Sequence, residues 1–112
     1  MIDFRSNDPR VELAMDQIYI ALPKETFSRQ EENTHVMLDF VTKPLRGIAN
    51  WGVSIRIKRP YTYVMVTHVG RTACAFGKVN WTDKFNMDTG FAIVARKALA
   101  AYYKKEITNE PS

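Results

Sequence analysis

From Trp51 onward the apolar residues recur at every second position, and this change of period limits the fold more than any other feature of the chain. Trp51, Val53, Ile55 and Ile57 fall on one side of an extended backbone, while Ser54, Arg56 and Lys58 fall on the other. The pattern is that of a half-buried strand with a basic outer face. Tyr61 to His68 is rich in β-branched and aromatic residues and reads as a central strand. Thr72 to Val79 supplies a third. The connections Lys58-Arg59-Pro60 and Val69-Gly70-Arg71 are too short for a parallel crossover, so the strands are expected to run antiparallel as hairpins.

A polar connection from Asn80 to Thr89 carries Trp81, Asp83, Lys84 and Phe85 and leads into the run Phe91 to Tyr103. In helical geometry Ala92, Ala95, Leu99 and Tyr102 form one row, with Phe91, Val94, Ala98 and Ala101 beside it. Small residues along both rows let this helix approach a sheet closely. Arg96, Lys97, Lys104 and Lys105 mark its wetter side.

Upstream, Asp8-Pro9 is a helix start: the aspartate can cap free N–H groups and proline suits the first helical position. Val11, Met15, Ile18 and Leu22 then share a stripe, opposite Glu12, Asp16 and Gln17. Pro23 disfavours helix at Leu22 and ends the element. Residues 24–50 fit two patterns. Thr34, Leu38 and Val41 suit a second helix, whereas Val36 to Val41 suits a short edge strand; helix is the expectation taken forward.

The expected fold is therefore α+β: a three-stranded antiparallel meander with the C-terminal helix packed on one face and one or two N-terminal helices beside it. Residues 1–112 make a single domain, with an acidic helical part over 1–50, a basic β-β-β-α unit over 51–106 and a frayed tail over 107–112. Trp51, Val53, Ile55, Val64, Val66, Phe76, Ala95 and Leu99 are expected in the core. Cys74, alternating with alanines, is expected to be a small buried thiol.

Charge is distributed unevenly. Residues 1–42 hold four Lys/Arg against eight Asp/Glu, whereas residues 43–84 hold eight Lys/Arg against one acid, Asp83. Such a split fits attraction between the two halves, or a basic face held out toward an acidic partner. A single cysteine builds no disulfide framework within one chain, the first residues lack the basic start and apolar core of a signal peptide, and no window is apolar enough to span a bilayer. The expected compartment is cytoplasmic, with no membrane partner.

No catalytic set stands out. His35 and His68 have no neighbours at metal-ligand spacing, the five glycines are scattered rather than gathered into a phosphate loop, and no cofactor or metal is expected. A non-enzymatic role follows. Two surfaces are candidates for binding. Arg56, Lys58 and Arg59 cluster around the first hairpin with Tyr61 and Tyr63, and Arg71 and Lys78 flank the third strand; basic residues interleaved with aromatics hold phosphates and stack bases. Trp81, Asp83, Lys84 and Phe85 make an acidic-aromatic loop suited to a protein partner, with Glu12 and Asp16 on the first helix as a second such surface.

The pattern Ala73-x-Ala75, Asp83-x-Phe85, Gly90, Ala92, Arg96, Ala98 resembles the C-terminal part of small phage and bacterial proteins of unassigned function. That resemblance implies a non-catalytic accessory protein that binds and blocks a host protein or complex, in the manner of a counter-defence or host-takeover inhibitor. The element order is also similar to that of double-stranded-RNA-binding domains. The last helix here begins Gly90-Phe91-Ala92-Ile93, without lysines at its start, and the hairpin Lys58-Arg59-Pro60-Tyr61 keeps only that family's proline. Blocking a host macromolecule is the first expectation and nucleic-acid binding by the basic sheet the alternative, with nucleotide binding third. A homodimer is compatible with each.

Overall fold

The computed structural model describes residues 6–27, 35–58, 60–78 and 87–108. Helix α1 spans Pro9–Ala21, strands β1 to β4 span His35–Val41, Gly52–Lys58, Tyr61–His68 and Arg71–Lys78, and helix α2 spans Met87–Thr108. The four strands form one antiparallel sheet in the order β1-β2-β3-β4. The class is α+β with an antiparallel sheet, as the periodicity implies.

Helix α1 starts and stops where its sequence requires. The Asp8 carboxylate accepts the Arg10 N–H at 2.9 Å as N-cap, and Leu22, just before Pro23, leaves the helix for extended backbone. Val11, Met15 and Ile18 are buried on the predicted stripe. In β2, Val53, Ile55 and Ile57 turn inward, and in β3 Val64 and Val66 do the same. Helix α2 lies across β3 and β4, α1 packs against α2, and their apolar side chains join the inner faces of the strands in one core.

The structure corrects several expectations. Residues 35–41 form an edge strand rather than helix, so the sheet has four strands, and among the described residues α1 is the one helix N-terminal to it. The order therefore departs from that of double-stranded-RNA-binding domains. Phe76 and Cys74 are exposed rather than buried. Apolar residues occupy both sides of β4, and the alanine rows of α2 approach so closely that only Ala73, Ala75 and Gly77 fit beneath them. An ideal Cβ on Gly77 would lie 3.0 Å from Val94 Cγ2. The larger Cys74 and Phe76 are thereby turned to the opposite face. Gln17 is buried, donating from Nε2 to the Lys43 carbonyl at 3.2 Å.

The β3–β4 hairpin turns on two residues with positive φ, Val69 at 52° and Gly70 at 75°. Gly70 accepts this at no steric cost, whereas a β-branched residue in that region is strained.

Candidate nucleic-acid interface

Because both helices join a single core on one side of the sheet, the other side is uncovered by any described element. Alternation along the strands and the register across them decide what this face presents. Lys58, Tyr61 and Lys78 line up across β2, β3 and β4. The next row is Met37, Arg56, Tyr63 and Phe76, one residue from each strand. Asp39, Ser54, Met65 and Cys74 follow. Phe76 is 68% exposed, Met37 60% and Tyr61 48%, so the apolar and aromatic surface is open rather than folded under. Exposed aromatic and methionine side chains in adjoining positions form a contact surface; scattered singly they would need no explanation.

The charges on the face are of mostly one sign. Among the described residues it carries Arg56, Lys58 and Lys78 against one carboxylate, Asp39. Asp39 accepts a short hydrogen bond from the Ser54 hydroxyl and lies beyond the aromatic row from the two lysines. The Lys78 ammonium stands 5.8 Å from the centre of the Tyr61 ring, within cation–π range. The side-chain hydrogen bond that the Tyr63 hydroxyl shares with Cys74, and then burial, raise this phenol above its ordinary titration range.

Of the residues picked out from the sequence, Arg56, Lys58, Tyr61, Tyr63 and Lys78 are brought together on this one face. Arg59 lies outside the described residues. Arg71 pairs with His68 at the far hairpin, on the opposite parity of β4, and does not join them. Trp81, Asp83, Lys84 and Phe85, the loop expected to meet a protein partner, also lie outside the described residues, as does the Asp83-x-Phe85 part of the phage-protein resemblance.

Glu12 is engaged internally. Arg96 donates to it from Nε at 2.9 Å and from Nη2 at 3.0 Å, and the Ser6 N–H reaches the same carboxylate at 3.0 Å. This pair ties α1 to α2 and draws Arg96 from the wet side of its helix into a half-buried position. The Glu12 hydrogen bond, more than any other influence, raises the Arg96 guanidinium still further above its usual range. Asp16 is exposed on the helical side of the molecule.

Phe76, Met37 and Met65 were missed as surface residues. The available signal was the alanine content of α2: a helix that close to β4 selects the small residues of that strand and expels its phenylalanine.

His68 does not belong to the face. Its ring stacks on buried Trp51 with centroids 4.1 Å apart, its Nε2 lies 3.2 Å from the Ala49 carbonyl and its Nδ1 lies 3.2 Å from the Tyr102 hydroxyl. It joins the end of β3 to α2 and to the loop before β2. Among the described residues no group of His, Cys, Asp and Glu could hold a metal ion, and no helix is long and apolar enough to cross a membrane. No protein-family model, curated protein or solved structure matches the chain.

Proposed function

We infer that the protein binds single-stranded nucleic acid along the open face of its sheet. The observation that carries this reading is the alignment, across neighbouring strands, of Tyr61, Tyr63 and Phe76 with Arg56, Lys58 and Lys78 on a surface no described element covers. Flat aromatic side chains stack on bases of any sequence, and cations beside them neutralise the backbone, a division of labour that suits a single strand. A duplex hides its base faces, so these aromatics would be idle against it. Titration of labelled single strands and duplexes at two ionic strengths tests the reading. Single strands are expected to bind more tightly, with affinity falling as salt rises; no binding at low salt would remove the reading.

A second reading is favoured by the exposure of Met37 and Phe76: a protein partner seated on the same face. The host-blocking role implied by the phage-protein resemblance would then act through the sheet. Pull-down from a bacterial lysate with and without nuclease separates the two, since a protein partner is retained after nuclease treatment and nucleic-acid-bridged capture is lost.

A further inference from the structure

At the basic end of the sheet a cleft of about 120 Å³ opens between β3, β4 and α2. One wall is the helical stripe Gly90, Ile93, Val94 and Lys97; the other is Thr62 with its cross-strand partner Gly77, and then Lys78. The volume is about that of four water molecules in the liquid. Two missing side chains keep it open, because a Cβ on Gly77 or on Gly90 would meet Val94 or Thr62 at 3.0–3.1 Å.

Among the described residues the charged side chains at the cleft have one sign. Lys78 and Lys97 both line it. Gly90 is the fourth residue of α2, one position past the residues whose N–H groups lack helical partners, and the helix dipole is positive toward this end. Thr62 is 1% exposed, and its hydroxyl has no hydrogen-bond partner among the described residues although it faces Gly90. A buried hydroxyl without a partner costs free energy unless something supplies one. Asp88, the acid in the first turn of α2, stands about 200° around the helix from Gly90. Apolar Ile93 and Val94 keep the local dielectric low and so strengthen the attraction for a negative group.

We propose that this cleft is a phosphate pocket: Lys97 and the Thr62 hydroxyl receive the terminal phosphate of a strand that lies on the open face and turns around the β4 edge. Lys78 marks that edge: its side chain stands on the open face beside Tyr61, and the residue also borders the cleft on the helical side. The occupant rests on the single-strand reading; the chemistry of the pocket does not.

The test has two arms. In the first, inorganic phosphate is titrated into the protein and the amide resonances of Gly77 and Gly90 are followed by NMR. Saturable shifts are expected, absent in Thr62→Val and weakened in Lys97→Gln. Thr62→Val is also expected to melt no lower than the parent, because it replaces an unpartnered hydroxyl with a methyl group of similar size. Shifts that do not saturate, or that persist in Thr62→Val, overturn the pocket. In the second arm, oligothymidines bearing a 5′-phosphate, a 3′-phosphate or neither are compared by anisotropy. One phosphorylated end is expected to bind about tenfold more tightly, a gain of the size of one charge-assisted hydrogen bond, and Thr62→Val is expected to erase that gain alone. Equal affinity for all three overturns the terminal-phosphate assignment while leaving single-strand binding in place. Saturable phosphate binding with no oligonucleotide binding leaves the pocket and removes the single-strand reading.

Discussion

Replacing Phe76 by alanine separates stacking from charge on the proposed face. The side chain is 68% exposed and its backbone lies in an edge strand, so truncation removes little core packing. The folding cost is expected to be within about 0.5 kcal/mol, the range for surface substitutions. Loss of one stacked base is worth about 1–3 kcal/mol, which lowers affinity by about 5- to 150-fold. The cations act differently. Arg56, Lys58 and Lys78, at about 0.7 released counterions per phosphate contact, give a slope near −2 in log affinity against log salt. That is about an 18-fold loss between about 50 and about 200 mM salt. The assay is fluorescence anisotropy with a labelled oligothymidine of about 15 nucleotides, near the upper end of common site sizes. Phe76→Ala should weaken binding equally at both salts and keep the slope. Lys78→Ala should shift the slope to about −1.4. If Phe76→Ala binds within about twofold of the parent, less than the smallest loss expected for one stack, the face does not stack bases and the reasoning fails.

Val69→Asn should raise stability by about 1 kcal/mol in chemical denaturation, because asparagine tolerates the positive φ that strains valine; a loss would show that the turn is not strained. Leu99→Ala should cost about 2–5 kcal/mol in the same measurement, since the side chain is fully buried between α2 and the sheet. Cys74, exposed on the open face, should react with a maleimide in the native protein, and a bound single strand should slow that reaction; no protection at saturating strand would move the binding site elsewhere. The Asp8 carboxyl is held below its usual value of 3.8 by its side-chain and then backbone hydrogen bonds with Arg10. Its folded pKa is depressed, so the stability it adds is complete above pH 3.8 and is lost as pH falls through the lower folded value. Asp8→Asn should flatten that part of an acid-unfolding curve.

The local signals that needed no partner were legible from the chain. Asp8, Pro9 and Pro23 bound α1 because a capping carboxylate and two prolines act on their immediate neighbours. The two-residue period from Trp51 gave β2 and β3, and put Arg56 and Lys58 on the side opposite Val53, Ile55 and Ile57. Strand β1 was harder to place. Its inward residues Val36, Leu38 and Phe40 alternate, yet Leu38 and Val41 also suit a helical stripe, and the hydrogen bonds that make it a strand come from β2, more than ten residues on. Gln17 and Glu12 read as solvated because their partners, the Lys43 carbonyl and Arg96, are remote in sequence.

Alternation along β4 shows that Cys74 and Phe76 share one side and Ala73 and Ala75 the other, but alternation is symmetric between covered and open faces. Packing breaks that symmetry. The alanines of α2 let it come close to β3 and β4, the small residues of β4 fit under it, and the phenylalanine is left outside beside Tyr63. The sequence by itself thus determined which residues lie together on each side of β2, β3 and β4. The tertiary structure decided which side the helices cover, and with that which aromatics and cations are free to meet a ligand, because coverage depends on volumes brought together from distant parts of the chain.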